Sequence, residues 1–438
     1  MQSGFSALAH RNYRLYWGGS VVSLMGGWMQ SVAQSWLVLE LTNSTFQVGM
    51  VLAMQFLPVL VLGMVGGLVA DKVDKRRLLL VTQSLASLQA LTLAVLTFGG
   101  WVTAGQVMVL AALLGLVNVV DMPTRQSFVV ELVGKPDVMN AIALNTSAFN
   151  LARIVGPAIA GLLIAQFGVG IAFLCNGVSF LGVILALLAM RSSDLYRGPA
   201  RAREGLRRGL GEGISYIRKT PVVQIPIVLV GVVATFGLNY NVLLPGMARD
   251  QFAIGAQGFG LLMSAFGVGS LLAALAVAFF PRLDPLPTMV RGATGFGALG
   301  LVFAFSPWFP SVWLAAFNLL TIGFCMIWMT ATANTAIQRT APDELRGRVM
   351  SVYVSIFAGS TPIGSVFAGG LATRFSPQVA LATGALLSLA AAIWAGLRTR
   401  RLPEGAMDDA RSWGTPEAHS GNRMASSDCK VDPPARVQ

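Results

Sequence analysis

The sequence predicts an all-α polytopic membrane protein with twelve transmembrane helices in two six-helix bundles. Three observations predict this class. The mean hydropathy is +0.67, only 11% of the 438 residues are charged, and apolar stretches of about 20 residues, the length that crosses a bilayer, recur along the chain. Water-soluble domains carry about 25% charged residues. Soluble folds, disordered chains, coiled coils and secreted disulfide scaffolds are therefore excluded.

Twelve apolar stretches define the predicted helices in order. They lie at about 15–39, 46–70, 78–99, 105–124, 141–166, 171–190, 223–244, 257–280, 288–306, 311–335, 352–373 and 379–397. Short connections alternate with longer, charged ones, as expected when successive helices cross a bilayer in opposite directions.

The positions of the basic residues explain the net charge of +12. With both termini placed in the cytoplasm, 28 of the 31 Lys and Arg residues lie on the cytoplasmic side, and Arg153, Arg249 and Arg374 are the exceptions. The positive-inside rule therefore predicts a multi-pass inner-membrane protein with both termini cytoplasmic, and no nucleic-acid partner. Three scattered Cys and two His near the termini predict neither a metal site nor a cofactor.

The chain divides into two halves. Residues 1–190 and 223–398 each hold six stretches, and GPAIAGLL from Gly156 is similar to GSVFAGGL from Gly364. This similarity predicts two related bundles in one chain.

Two polar segments lie outside the bundles. The basic segment 191–222 is predicted to be a cytoplasmic linker, and its part 204–219 could lie as an amphipathic helix on the anionic inner leaflet. Residues 399–438 carry several Ser residues and a Pro-Pro pair, and they predict a disordered cytoplasmic tail.

A charged loop joins the second and third stretches, and it reads GGLVADKVDKRRLLL over residues 66–80. Gly67 permits the close approach of a neighbouring helix. Asp71 lies where the chain leaves the bilayer, and an acid there can pair with an Arg or cap another helix. The loop thus predicts a gating contact, and its other members are Lys72, Lys75 and Arg76.

This loop resembles the cytoplasmic loop motif of the major facilitator superfamily, G-x-x-x-D-(R/K)-x-G-(R/K)-(R/K). Asp74 stands where that motif has Gly. The loop APDELRGRVMSVY, which contains Arg346 and Arg348, and the segment NLARIVGPAIAGLL resemble the enterobactin-exporter-like and macrolide-efflux-like branch. The resemblance covers nearly the whole chain before the tail.

The resemblance implies a secondary active transporter with a central cavity between two bundles that rock in alternating access. Members of the branch mostly export small molecules, and proton-driven antiport is the usual assumption. We therefore expect a monomer in the lipid bilayer that exports a small amphipathic molecule, drug-like or siderophore-like, using the proton gradient.

Other function classes are weighed against export. An uptake permease of the same fold stays open, because a fold does not give direction. A channel is less favoured, since no filter-like segment is present in the sequence. The sequence also has none of the common nucleophile or zinc-protease motifs, so no catalytic residue is predicted.

The fifth stretch contains Arg153, Gly156, Pro157 and Gly161, which resemble the superfamily's antiporter motif G-P-x-x-G-G. Pro can kink a helix and Gly allows tight packing, so this segment is interpreted as a hinge and packing element. Arg153 is a charge inside a span, which is costly and usually functional. Its position directly before the packing motif favours an interhelical lock over the alternative, contact with an anionic substrate.

Candidates for proton coupling are few. Asp121 lies on one face of the fourth stretch with Asn118 and Arg125. Asp121 can either titrate or simply pair with Arg125. Glu40, at the end of the first stretch, is the second candidate.

The resemblance also implies that the first, fourth, seventh and tenth stretches surround the substrate cavity. Uncharged polar residues in these four stretches are the candidates to line it, because such groups face the bundle interior and not lipid. Each of them could instead form only an interhelical hydrogen bond. The candidates are Gln30, Gln34, Asn118, Asn239, Asn241, Asn318 and Trp328.

Overall fold

The structure is a computed structural model that describes residues 5–196, 206–280, 283–308 and 311–403. Within these ranges it is almost entirely helical. The helices are α1 (Arg11–Thr42), α2 (Thr45–Lys72), α3 (Lys75–Phe98), α4 (Ala104–Phe167), α5 (Val169–Ala189), α6 (Leu206–Lys219), α7 (Pro221–Val232), α8 (Tyr240–Gly246), α9 (Gly255–Phe279), α10 (Pro285–Ala304), α11 (Val312–Thr340), α12 (Asp343–Arg374) and α13 (Pro377–Arg400).

Ten helical segments of the described chain are long and apolar enough to cross a membrane. They include the continuous segment Pro221–Gln251, in which π-helical turns follow α7 and α8. The ten do not include α1, which carries Gln30 and Gln34 among its apolar residues and is correspondingly less hydrophobic.

The 64-residue helix α4 is two arms joined at Gly134, whose φ of 67° is one that Gly adopts readily and most residues rarely do. A straight helix of this length would span about 96 Å, three times the hydrocarbon core. The first arm runs parallel to α2 and the second parallel to α1, so the chain reverses direction between them. The contacts that show this are Gln55–Gly115 and Gly66–Val119 for the first arm, and Tyr13–Ala141 and Trp28–Gly156 for the second.

Helix ends follow local capping chemistry. The Asp74 side chain accepts a hydrogen bond from the Arg77 N–H and begins α3. Thr103 and Gln106 form a capping box at the start of α4. Because Asp74 has a φ of −57°, this turn does not need the Gly that stands at that position in the superfamily motif.

The two ends of the helix bundle are distinct. We call the end with the N-terminus, the Lys72–Lys75 turn and Arg400 the terminal side, and the end with the Thr42–Thr45 and Arg374–Pro377 turns the far side. A short 3₁₀ helix, Ser6–Ala9, fastens the N-terminus to α4 on the terminal side. There Asp137 lies 2.8 Å from His10 and 2.6 Å from Ser6. These hydrogen bonds, that of His10 first, lower the pKa of the Asp137 carboxyl.

The linker helix α6 packs against α12, which differs from the expectation that this segment rests on a leaflet. Tyr216 is fully buried and donates a hydrogen bond to the Thr340 carbonyl. Burial raises the pKa of the Tyr216 hydroxyl. Glu212 forms an ion pair with Arg348 of α12. In the described part of α6, Tyr216 and Ile217 are thus buried against protein.

The C-terminal boundary also differs from the prediction, because α13 continues to Arg400. The tail predicted for 399–438 therefore begins later than expected. Residues 404–438 lie outside the described residues.

The two halves meet along two helix pairs, α2 with α12 and the second arm of α4 with α9. Gly49 lies so close to α12 that a Cβ there would be 2.3 Å from the Ser365 carbonyl oxygen. In the other pair, Ser264 donates a hydrogen bond of 2.7 Å to the Ile154 carbonyl. These contacts extend from the far side to the middle of each helix, where Leu60 meets Gly359 and Arg153 meets Gly267.

Candidate substrate cavity and gating contacts

A cavity of about 370 Å³ lies in the centre of the first half and reaches α8 of the second. Aromatic and aliphatic side chains supply most of its wall, and amides are spaced between them. The polar residues that line it are Ser23, Gln30, Ser31, Gln34, Gln55, Gln83, Asn118, Asp121, Arg125, Asn176 and Asn241, and the aromatic ones are Trp28, Phe56 and Phe180.

A chain of amides crosses the wall of this cavity. Asn176 donates a hydrogen bond of 2.6 Å to the Gln30 side-chain oxygen, and Gln30 donates one of 3.1 Å to Gln89. Gln34 donates to Gln55 at 3.2 Å. Hydrogen bonding compensates the burial of these groups and fixes how they face the cavity.

Asp121 is the acid at the cavity wall, and it has three donors. Thr82 and Gln83 donate to one carboxylate oxygen at 2.6 and 2.7 Å, and Arg125 donates to the other at 2.6 Å. The predicted Asp121–Arg125 pair is thus present, and both residues line the cavity. The Gln83 side-chain oxygen is buried without a hydrogen-bond partner in the described structure.

Four of the seven predicted cavity residues line the cavity, and three lie elsewhere. Gln30, Gln34, Asn118 and Asn241 line the cavity. Asn239 lies in the turn before α8 and donates to the Thr235 carbonyl at 2.8 Å.

The two candidates on α11 also lie outside this lining. The Asn318 amide lies against α10, with Leu299 and Phe303 backbone groups 3.2 and 3.3 Å away. Trp328 stacks on Phe324, with ring centroids 5.2 Å apart. An interhelical hydrogen bond accounts for the position of Asn318.

Glu40, the second coupling candidate, is exposed near the far side and accepts a hydrogen bond of 2.5 Å from Trp36. It lies three helical turns along α1 from Trp28, which lines the cavity. Its place differs from that of Asp121, which is buried at the cavity wall.

The loop between α2 and α3 joins the elements of the first half on the terminal side. Lys75 forms an ion pair with Glu131 of α4. Arg76 donates to the Leu187 and Leu188 carbonyls at 2.7 and 3.1 Å, which satisfies the last carbonyls of α5. In this conformation Lys75 and Arg76 of the loop bind within the first half. Gly67 has open space around it, and Asp71 and Lys72 are exposed.

The corresponding loop of the second half has a similar arrangement. Arg346 donates to the Gln338 and Ala341 carbonyls at the end of α11 and pairs with Asp343 at 2.6 Å. Arg348 is held by Glu212 of the linker helix. Both halves thus use an arginine to satisfy the C-terminus of a neighbouring helix.

The antiporter-like segment lies at the junction of the halves. A Cβ at Gly156 would lie 2.7 Å from the Trp28 Cβ, and one at Gly161 would lie 2.8 Å from the Ala256 carbonyl oxygen. The Pro157 carbonyl oxygen would be 2.3 Å from a Cβ at Gly260. Arg153 is 8% exposed, and within the described residues it donates a hydrogen bond of 3.4 Å to the Asn150 side-chain oxygen.

Residue-by-residue reading of the sequence missed four cavity or network amides. These are Gln55, Gln83, Gln89 and Asn176. All four are uncharged polar residues inside apolar stretches, so the criterion that selected Gln30 would also have selected them. The sequence reading weighed only four of the twelve spans.

Comparison with known proteins identifies the class. A model of the transmembrane secretion effector family matches residues 2–425. The chain therefore belongs to this family of major facilitator superfamily transporters, which confirms the resemblance found in the sequence.

The chain is similar to curated proteins that are named as transporters, efflux pumps and exporters. The chain is 31% identical over 358 residues to the multidrug efflux pump Tap of Mycolicibacterium fortuitum, which covers 79% of the chain and 86% of that protein. It is 26% identical to the staphyloferrin A transporter of Staphylococcus aureus, covering 81% and 87%. It is 25% identical to the enterobactin exporter EntS of Shigella boydii, covering 84% and 87%.

Solved structures show the same fold. The nucleoside transporter NupG superposes with a TM-score of 0.73 at 12% identity and covers 89% of this chain and 100% of its own. A bacterial homologue of the lysosomal transporter Spinster gives a TM-score of 0.68 at 12% identity, covering 94% and 98%. The expected fold class is thus confirmed as a helical, multi-pass major facilitator transporter.

Proposed function

We propose that the protein exports a small amphipathic molecule from the cytoplasm by alternating access and proton antiport. In this proposal the chain crosses the inner membrane twelve times as a monomer, with the terminal side in the cytoplasm. One observation carries the proposal: the cavity of the first half has aromatic and amide walls, and the close contacts at Gly49, Ser264, Gly267 and Gly359 join the halves between the far side and mid-helix.

The composition of the cavity supports an amphipathic substrate. Trp28, Phe56 and Phe180 offer flat apolar surfaces, and amides such as Asn118 and Asn241 offer a few hydrogen bonds. Ligand sites of this kind gain affinity from apolar contact and orientation from a small number of polar groups.

The count of twelve crossings rests on α1 and α4. The reversal of α4 at Gly134 makes its two arms separate crossings, and α1 packs beside the second arm along most of its length. Adding α1 and the second arm of α4 to the ten apolar segments gives twelve.

Alternating access is supported by where the halves touch. The close packing of α2 on α12 near the far side, where a Cβ at Gly49 would lie 2.3 Å from the Ser365 carbonyl oxygen, fits a conformation that is closed on that side. The second conformation would separate α2 from α12 on the far side and join the halves on the terminal side.

Proton coupling is proposed at Asp121. It is the carboxylate that lines the cavity, and its partners Thr82, Gln83 and Arg125 can rearrange when it takes up a proton. Substrate that enters from the cytoplasm and protons that enter from the far side would then compete for the same part of the cavity.

The names of the relatives set the candidate substrates. Tap is named a multidrug efflux pump and EntS an enterobactin exporter. We therefore place drug-like and siderophore-like molecules first among the compounds to test.

Transport into everted bacterial membrane vesicles tests the proposal. Vesicles that contain the full chain are energised by respiration, and the uptake of Hoechst 33342 and of 8-anilinonaphthalene-1-sulfonate is measured on filtered vesicles. We expect uptake of at least one dye, at least severalfold above vesicles without the protein, and its loss when nigericin collapses the pH gradient.

Two results would overturn parts of this proposal. Dye accumulation in intact cells that rises with expression, without uptake into everted vesicles, would indicate an uptake permease. Export that persists after the pH gradient has collapsed would remove proton coupling but leave export intact.

A further inference from the structure

We propose that Arg153 is an anion-binding residue at the edge of the central cavity, so that the exported molecule carries a carboxylate or sulfonate on an aromatic body. This inference rests on the proposed export function and deepens it by giving the chemical class of the substrate. It starts from a buried cation without a counter-charge.

Arg153 lies on a helix face that borders the cavity wall. Phe149 and Gly156 are one turn before and after it, and both contact Trp28, which lines the cavity. The ring centroids of Trp28 and Phe149 are 5.8 Å apart. Residues three and four positions apart share one helix face, so the Arg153 side chain starts from the same surface as these two contacts.

The surroundings of Arg153 contain no acid in the described part of the chain. The neighbouring segment of α1 carries no Asp, Glu, Lys, Arg or His between Arg14 and Glu40. Helix α9, whose Gly267 packs on the Arg153 backbone, has none between Gly255 and Phe279.

The ion pair at the cavity wall has no net charge. Asp121 and Arg125 have opposite charges and are joined at 2.6 Å. The described lining of the cavity therefore carries no net charge of its own, and Arg153 is an unbalanced cation on the helix face that borders it.

The hydrogen bonds of Arg153 are incomplete. Its Nε is buried with no hydrogen-bond partner, and a single Nη donates to Asn150 at the long distance of 3.4 Å. A guanidinium has five N–H donors in a planar fork that matches a carboxylate or sulfonate. Burial of an unpaired charge is unfavourable, and such groups are normally paired when the protein works.

An interhelical ionic lock does not use this cation in the present conformation, because neither packed helix offers a carboxylate. A bound anion supplies the missing charge. Since Trp28 and Phe149 stand beside the guanidinium, an aromatic ring next to the anionic group would contact both the rings and the cation.

A matched pair of dyes tests this proposal on the purified full-length protein. The pair is 8-anilinonaphthalene-1-sulfonate and N-phenyl-1-naphthylamine, which share the aromatic body and differ in the sulfonate. Affinities are measured by competition and by ligand-induced thermal stabilisation, which reports binding to the folded state. The wild type should bind the sulfonate dye more tightly.

The variants Arg153→Gln and Arg153→Lys separate charge from structure. We expect Arg153→Gln to weaken binding of the sulfonate about 10- to 100-fold, the loss expected for a charge-assisted hydrogen bond, and to leave the neutral dye within about twofold. Arg153→Lys should recover part of the sulfonate affinity. Arg249→Gln is the control, because Arg249 is a far-side cation paired with Asp250.

Three outcomes would overturn the inference: an Arg153→Gln protein that binds both dyes like the wild type, a variant that loses both dyes equally, or a wild type that prefers the neutral dye. If Arg153→Gln does not fold, Arg153→Lys alone must still shift the ratio of the two affinities. Uptake of 8-anilinonaphthalene-1-sulfonate by everted vesicles that contain the wild-type protein tests export separately from these binding measurements, so failure of the anion site and failure of export are distinguishable.

Discussion

At the residue scale, the chemistry of the cavity depends on how buried polar groups are compensated. Asp121 has 8% side-chain exposure and is balanced by three donors, one of them the charged Arg125. Breaking a buried ion pair from one side leaves an uncompensated charge and typically costs about 3–5 kcal/mol, whereas removing both charges costs much less. The pair therefore makes each of its two charges dependent on the other, and it places a carboxylate at the cavity.

This balance gives the first prediction. Asp121→Asn should lower the thermal stability of the purified protein clearly, because Arg125 loses its counter-charge. The double variant Asp121→Asn with Arg125→Gln should recover most of that loss. If Asp121 couples transport to protons, the double variant should still exchange dye between vesicles and medium without any response to an imposed pH gradient.

Glu40→Gln provides the matched control for this experiment. Glu40 is an exposed acid that contacts only Trp36 among the described hydrogen bonds, so its loss should leave both stability and the pH response close to those of the wild type. A pH-driven signal that survives in the double variant and disappears in Glu40→Gln would transfer the coupling role from Asp121 to Glu40.

At the element scale, small residues determine how closely the halves approach. Gly49 of α2 lies against the Ser365 carbonyl of α12, and the Phe46 N–H donates to the Thr373 hydroxyl at 3.0 Å one turn nearer the far side. Without a hydrophobic driving force between helices in lipid, close van der Waals packing of this kind is a main source of helix association. The far-side closure therefore depends on the space that Gly49 leaves.

A substitution at Gly49 should open the far side. A Cβ there would lie 2.3 Å from a backbone oxygen that cannot move away alone, so Gly49→Ala should cost this contact about 1–3 kcal/mol. Distances between spin labels on Trp101 and Phe375, exposed far-side residues in different halves, should then shift to longer values in a substantial fraction of molecules.

Gly63→Ala is the control, because Gly63 is on the same helix and has nothing within 4 Å of an added Cβ. Equal label distances in the two variants would show that the α2–α12 contact does not hold the far side closed.

At the scale of the whole molecule, the basic residues that the sequence assigns to one side of the membrane should lie at one end of the helix bundle. In the described structure the N-terminus, the two arginine-containing loops and the linker helix α6 all lie on the terminal side. This is the side on which the sequence places 28 of its 31 basic residues. By the positive-inside rule we propose that the terminal side faces the cytoplasm.

Cysteine labelling tests this orientation. In a background without the native cysteines, a cysteine at Trp101 should react with a membrane-impermeant maleimide on intact cells. One at Ser193 should react only after permeabilisation, because it lies on the terminal side, and both positions are exposed in the folded protein. Labelling of Ser193 and protection of Trp101 on intact cells would invert the proposed orientation and the direction of export.

The helix positions are the part of the fold that hydropathy predicts. Hydropathy reports length and mean polarity, so it located most of the helices to within a few residues. It predicted one helix over 223–244 where the structure has α7 and α8, and it placed the α12 start at 352 where the structure has Asp343. The first turns of α12 are charged and lie beyond the apolar stretch. An apolar window excludes such turns although they continue the same helix.

The sequence by itself determined the class of the protein, the helix order and the sidedness of its charge, because these depend on composition and period along one chain. Only the tertiary structure decided which polar side chains meet. Asn176 and Gln30 belong to one hydrogen-bond network, whereas Asn318 lies against a neighbouring helix. Arg153 lies between α1 and α9, and neither helix offers it an acid in the segment that packs there. The physical reason is that a polar residue in a span specifies the need for a partner, whereas packing between distant helices specifies which partner it finds.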